Sequence, residues 1–262
     1  AVGAISTLTV LDWFERDVAT HHIVLISKPP APSVVDQITD FIRSSSKSYT
    51  VCLVGSDDLA LPDNAKLTTT LKDAAAAAVK NSKGLEALPV VQQAPAAGSY
   101  VRGLYSGGTL AAEAQVVFLS HRQPVLSNVP VPGAGLFTSE RANHIMIDLG
   151  DDRFTRGRPH PMIDPAVRDE PICAALSDPD VGAVLLDVVI GFGAHPDPAG
   201  HLAGLLDRHG RSGSVVIASV TGTDEDPQVR AKQVSVLERA GVVVAPSNAD
   251  AAELALACLK IG

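Results

Sequence analysis

Short apolar runs and helical apolar stripes alternate along most of this chain, most regularly from residue 101 onward. There the pattern predicts strands over 101–105, 145–149, 183–190, 215–220 and 242–245. Helices are predicted over 109–119, 164–176, 199–209, 228–240 and 250–259. The run Ala183-Val184-Leu185-Leu186-Asp187-Val188-Val189-Ile190 is the most apolar and reads as the central strand. Residues 124–135 are rich in Pro and Gly and read as a loop. Strict alternation of strand and helix predicts a parallel sheet with helices on both faces. Five strands suit the order 2-1-3-4-5, in which ligands bind beyond the C-terminal ends of strands one and three.

The first segment repeats the pattern in shortened form. A helix is predicted over 4–16, a strand at Ile23-Val24-Leu25-Ile26, and a helix from a Ser33 cap to about 44. A strand over 49–54 and an Ala-rich helix over 70–79 follow, and the histidine pair His21-His22 begins the first strand. So few strands leave open sheet edges. Gly84, Pro89, Pro95, Gly98 and a run of Ala read as a linker. The expected organisation is a partial domain over 1–82, a linker over 83–100 and a complete domain over 101–262. The opening without Met, inside a helical pattern, leads us to expect a fragment whose N-terminal strands lie elsewhere.

Composition narrows the function classes. The 262 residues suit two modest domains, and 46% of them are hydrophobic, ample for buried cores. One Trp and three Tyr do not make a stacking surface for single-stranded nucleic acid. With 21 Lys plus Arg against 29 Asp plus Glu, the net charge of −8 argues against nucleic acid or an anionic membrane as partner. A small anionic substrate stays open, because local amides and arginines decide that. No stretch reaches the ~18 apolar residues of a membrane span, and no signal peptide is visible. Cys52, Cys173 and Cys258 lie apart in apolar runs and read as buried, inert thiols. This usage fits a reducing cytoplasm.

Four stretches carry candidate chemistry. In Ser106-Gly107-Gly108-Thr109, two glycines between strand and helix bring N–H groups to a positive helix end, which suits a phosphate or carboxylate. The same residues also fit a plain tight connection capped by Thr109. Arg156, Arg158 and His160 lie within five positions on a proline-fixed loop, and arginine suits bidentate anion contacts. Asp164 reads as the cap of the next helix. Gly191 and Gly193 flank Phe192 after the central strand, followed by His195, a candidate acid, base or donor that also fits an ordinary loop histidine. Asp197 reads as a helix cap. Thr221 opens a fourth rim loop that also fits a polar turn. Asp187, inside the apolar strand, must either be paired, for instance with an arginine of the second loop, or face solvent. There is no P-loop, no GxSxG elbow and no histidine spacing for a metal.

The stretches SGGTLAAEA, IDLGDD, GRPHPMIDP, LLDVVIGFGAHPDPAG and VTGTDEDPQ resemble the FdrA family, which is itself similar to NDP-forming acyl-CoA synthetases of the succinyl-CoA synthetase type. GAISTL and LISKPP in the first segment match more loosely. The resemblance implies two flavodoxin-like domains, the first one incomplete, with Gly107-Gly108-Thr109 opening a helix that holds a transferred phosphoryl group. From their own loops beside the switch point, Arg158, His160 and His195 are the candidate catalytic residues. Ser106, Gly107, Gly108, Thr109, Arg156, Gly191, Gly193 and Thr221 are then the phosphate- or substrate-binding set. The ligases carry a phosphorylated histidine after a strand of the first such domain; the matching stretch here, Val54-Gly55-Ser56-Asp57-Asp58-Leu59, has none. That departure puts a phosphohistidine relay in doubt. The resemblance also implies a CoA-binding domain or other subunits outside this chain, an oligomer, and CoA, a nucleotide with magnesium, or carbamoyl phosphate in the full assembly; no cofactor is expected within the chain itself. Two further readings are a subunit of an oxamate carbamoyltransferase in purine degradation and a non-catalytic scaffold or sensor.

Overall fold

The computed structural model describes residues 4–56, 58–79, 98–138, 143–210 and 213–259. They fall into two compact units, Ala1–Lys83 and Gly84–Gly262. The linker expected over 83–100 lies almost wholly outside the described residues.

The first unit runs α1 (Ile5–Arg16), β1 (His22–Ser27), α2 (Pro32–Ser44), β2 (Ser48–Leu53), β3 (Ala65–Thr68) and α3 (Leu71–Ala78). Its three strands pair in parallel in the order β1-β2-β3. Side chains alternate across a strand, so Ile23, Tyr49, Val51 and Leu53 join Leu11 of α1 and Ile38 and Ile42 of α2 in one core. Strand β3 was not expected from the sequence, because Ala-Lys-Leu-Thr is too short and mixed to show a period. The expected Ser33 cap is corrected: Pro32 takes the first helical turn, where its missing N–H costs nothing, and Ala31 precedes it without a side-chain cap.

The second unit contains β4 (Tyr100–Tyr105), α4 (Gly108–Ser120), β5 (Val125–Ser127), β6 (Gly135–Leu136), β7 (His144–Asp148) and α5 (Asp152–Thr155). A 3-10 turn over Pro165–Arg168 leads to α6 (Asp169–Ser177), β8 (Val181–Val189), α7 (Pro198–His209), β9 (Val215–Thr221), α8 (Arg230–Arg239), β10 (Val243–Ala245) and α9 (Asn248–Cys258). The sheet order is β10-β9-β8-β4-β7-β5-β6, and every pairing is parallel. The five expected strands therefore stand in the order 2-1-3-4-5. The loop expected over 124–135 is corrected: it carries the two short edge strands β5 and β6. Asn128 fixes that edge by exchanging two hydrogen bonds with the Asp148 backbone, at 2.8 and 2.9 Å.

Leu104, Ile147, Leu186, Val188 and Val216 pack with α6, α7 and α8 in one core. Alternation sends Leu185 and Asp187 to the opposite face, which α4 and α9 cover. Strand β8 is buried along eight of its nine residues, as a parallel strand covered on both faces must be. The switch point lies where β4 parts from β8, and the loops after β4, β7, β8 and β9 share that rim. Of the three cysteines, Cys52 and Cys258 are buried, whereas Cys173 is only half-buried, a correction to the expectation. No described helix is long and apolar enough to cross a membrane.

Candidate functional site

The turn after β4 is organised by Asp187. This carboxylate lies in an apolar strand, wholly buried, so it must be saturated with donors. One oxygen accepts from the Ser106 N–H at 2.8 Å and from the Arg168 guanidinium at 2.8 Å. The other accepts from the Gly107 N–H at 2.7 Å and the Ser106 hydroxyl at 2.9 Å. Arg168, also buried, donates to the Leu104 and Asp187 carbonyls at 3.2 and 3.0 Å. Asp187 is therefore paired with an arginine, but with Arg168 of the 3-10 turn and not with an arginine of the 151–164 loop. Gly107 has no side chain for a local reason: a Cβ there would meet the Asp187 carboxylate and the Leu110 side chain, each at 3.2 Å. Beside this cluster, burial first, and then the charges of Asp187 and Glu113, push the Tyr105 phenol well above its usual pKa.

These contacts change what the turn can offer. The donors of Ser106, and the N–H of Gly107, are spent inside the protein. The N–H groups of Gly108, Thr109 and Leu110 open α4, where no preceding turn supplies carbonyls for them. Gly107, the residue before the helix, provides no side-chain cap. Gly108 and Thr109 are half-exposed. The turn thus combines a rigid base with free donors at a positive helix end.

The loop after β7 brings His160 to the same place. Asp151 caps α5 by accepting from the Arg153 N–H at 3.0 Å. Arg156 and Arg158 then stand exposed, without a hydrogen bond or ion pair from either side chain among the described residues. Gly157 between them has φ 75°, a conformation that favours glycine. His160 folds back over Gly150. A Cβ on Gly150 would lie 2.5 Å from His160 Nε2, 2.7 Å from the Ser106 carbonyl oxygen and 3.2 Å from Asp148 Oδ1. Glycine at 150 is thus what lets the imidazole approach the turn. Asp164 caps the 3-10 turn, accepting from the Ala166 N–H at 3.1 Å.

The loop after β8 joins this assembly through its backbone, the His195 N–H donating to the Met162 carbonyl at 2.8 Å. Gly191 and Gly193, at φ 138° and 83°, make the sharp turn. Gln228 holds the loop in shape. It accepts from the Gly191 N–H at 3.1 Å and donates to the Gly191 and His195 carbonyls at 3.0 and 3.1 Å. Asp197 caps α7 by accepting from the Gly200 N–H at 3.1 Å. The His195 ring stands edge-on to His201 of α7, with centroids 6.2 Å apart. Thr221 ends β9 on the same rim; its carbonyl accepts from the Ile190 N–H at 3.0 Å and its side chain is exposed. His160 therefore meets the turn at its Ser106 end, across Gly150. Gly191, Gly193 and His195 attach to the His160 loop, and Arg156, Arg158 and Thr221 occupy the outer rim.

Three residues of this arrangement escaped sequence reading. Arg168 and Gln228 act through tertiary contacts that leave no local pattern. Gly150, in Leu149-Gly150-Asp151-Asp152 directly after a strand, carried the one available signal. No group of metal-ligating side chains is present among the described residues.

The sequence pattern of the CoA-ligase family matches residues 104–258, which spans the whole rim just described. The chain belongs to the CoA-ligase family. It is 32% identical to the uncharacterized protein YahF of Escherichia coli K12, over 97% of this chain and 53% of that protein. Among solved structures, the dinucleotide forming acetyl-coenzyme A synthetase 1 of Ca. Korarchaeum cryptofilum, in complex with phosphate and ADP, matches 95% of this chain and 55% of its own, at 16% identity and a TM-score of 0.43. PH0766 from Pyrococcus horikoshii OT3 matches 95% of this chain and 54% of its own, at 12% identity and a TM-score of 0.35. The CoA-ligase chain thus spans about half the length of the relatives it matches. It is related to acyl-CoA synthetases.

Proposed function

We propose that this CoA-ligase chain binds the phosphoryl group of an acyl phosphate at the start of α4, as one part of an acyl-CoA synthetase-type enzyme completed by further domains or subunits. The observation that carries the reading is the division of donors at the turn. Asp187 takes the N–H groups of Ser106 and Gly107, which fixes the backbone so that Gly108, Thr109 and Leu110 present theirs together. Donors held in place before a charge arrives need no reorganisation when it does. The Thr109 hydroxyl adds a donor. Arg156 and Arg158 supply positive charge that no described residue neutralises, and His160 Nε2 stands beside the Ser106 end of the turn, over Gly150. Gly191, Gly193, His195 and Thr221 close the rim. CoA and a nucleotide with magnesium enter this reading as substrates of the complete assembly.

Calorimetric titration with inorganic phosphate and acetyl phosphate tests the proposal. Arg158→Ala should weaken binding about tenfold, since a charge-assisted hydrogen bond is worth ~1.5–3 kcal/mol. Equal affinity in the variant would remove Arg158 from the site. The carbamoyltransferase reading makes the same use of the turn, because carbamoyl phosphate is also an acyl phosphate. Phosphate release from carbamoyl phosphate that depends on oxamate would favour it.

A further inference from the structure

The sequence His-Pro-X occurs twice on this rim, as His160-Pro161-Met162 and His195-Pro196-Asp197. Both copies fold alike. The Met162 N–H donates to His160 Nδ1 at 3.2 Å, and the Asp197 N–H donates to His195 Nδ1 at 3.1 Å. The proline between them has a fixed φ, which holds the third residue's N–H against the ring. An Nδ1 that accepts a hydrogen bond has its lone pair in use, so the proton of the neutral imidazole sits on Nε2. Such a ring presents a donor at Nε2 and no lone pair there.

The two rings differ in their surroundings. His195 stands against His201 of α7, which is itself paired with Asp169 at 2.7 Å. His160 Nε2 stands over Gly150, next to the Ser106 carbonyl, and has no hydrogen-bond partner among the described residues. We propose that His160 serves the turn as a fixed Nε2–H donor to a bound anion, and is neither a general base nor a phosphoryl acceptor. The donor role rests on the anion reading of the preceding subsection, whereas the tautomer does not. To attack phosphorus or take a proton, Nε2 would need the lone pair, and the proton would have to move to Nδ1, against the Met162 N–H. Nothing covalent forms on the ring in this assignment. The anion at α4 gains one further hydrogen bond, and the His160 proton stays on Nε2 throughout.

The test uses the full chain with 15N-labelled histidine. At pH 9, where an ordinary imidazole is neutral, NMR should show His160 protonated at Nε2. A ring protonated at Nδ1 would overturn the proposal. Titration with inorganic phosphate should then move the His160 Nε2 signal together with the amide signals of Gly108 and Thr109. If the amides respond and His160 does not, the donor role fails. If neither responds, the anion reading itself fails while the tautomer result stands. His160→Gln, whose amide can donate from near the Nε2 position, should keep phosphate affinity within about threefold, whereas His160→Leu should lose about tenfold, the worth of one hydrogen bond to a charged group. Equal affinities in the two variants would contradict the assignment. A phosphorylated His160 after incubation with acetyl phosphate, seen by peptide mass spectrometry, would overturn it outright.

Discussion

Asp187 and Arg168 meet at 2.8 Å with side chains 0% and 5% exposed. A buried pair of this kind does not make a protein stable by itself, because removing two charges from water costs about as much as their attraction returns. Breaking it is another matter. Asp187→Asn leaves the Arg168 charge unpaired and turns an amide toward donors that need an acceptor. Chemical denaturation should show a loss of ~3–5 kcal/mol. Arg168→Met should also destabilise. The double variant should cost less than the two singles added together by ~1–3 kcal/mol, since the charges share one interaction. Additive losses would mean that the contact carries no coupling.

The amount of this that could be read from the sequence depends on the range of the forces involved. Strands β4, β7, β8, β9 and β10 were legible because each is an apolar run set between helical stripes, and their order followed from the rules of parallel connection. Strands β3, β5 and β6 were not, because Ala65–Thr68 mixes polar and apolar residues and the other two lie in a Pro- and Gly-rich stretch, so all three gain their partners only from the assembled sheet. Asp187 stood out as a carboxylate among Leu and Val. Its partner was invisible, because Arg168 approaches it from a different element. The caps at Asp164 and Asp197 were legible, being contacts within three residues. That Ser106 spends its donors inward could not be read from Ser106-Gly107-Gly108-Thr109 at all, since a carboxylate on another strand decides it.

Gly150 is predicted to tolerate no side chain. Its added Cβ would fall 2.7 Å from the Ser106 carbonyl, which belongs to backbone held by Asp187 and cannot retreat. Gly150→Ala should cost ~1–3 kcal/mol by overpacking and should displace the His160 ring. Thermal unfolding and the NMR signals of His160 report the two effects separately. An unchanged stability and an unchanged ring would show that the approach is looser than described.

His144 makes the second unit sensitive to acid. Burial, with the nearby Arg102 charge as a smaller cause, lowers its pKa from 6.5 to about 4. Its Nδ1 accepts from the Val101 N–H at 3.1 Å, so the neutral ring belongs to the fold. The folded value lies below the unfolded one, so the unfolded chain binds the extra proton first. The contribution of this ring is therefore full above about pH 6.5 and is lost as pH falls from there toward 4, on the order of 3 kcal/mol in all. His144→Gln should flatten that part of the curve of stability against pH. A slope equal to that of the parent chain would assign it to other groups.

Gln228 is predicted to govern the loop after β8. Gln228→Ala removes the three hydrogen bonds that tie Gly191 and His195 together. The loss should be ~2–3 kcal/mol at ~1 kcal/mol for each bond. Hydrogen exchange at Gly191 should accelerate well before exchange in β8 does. Equal protection in parent and variant would show that the glycine turn holds its shape without this side chain.

The central claim is that an anion binds the donors Asp187 leaves free. Titration of the 15N-labelled chain with inorganic phosphate, followed through its amide signals, tests it most directly. Gly108, Thr109 and Leu110 should shift together and saturate with one dissociation constant, while Ser106 and Gly107, already bonded to Asp187, should shift far less. The account is contradicted if those three amides stay still, or if the shifts centre on another part of the fold.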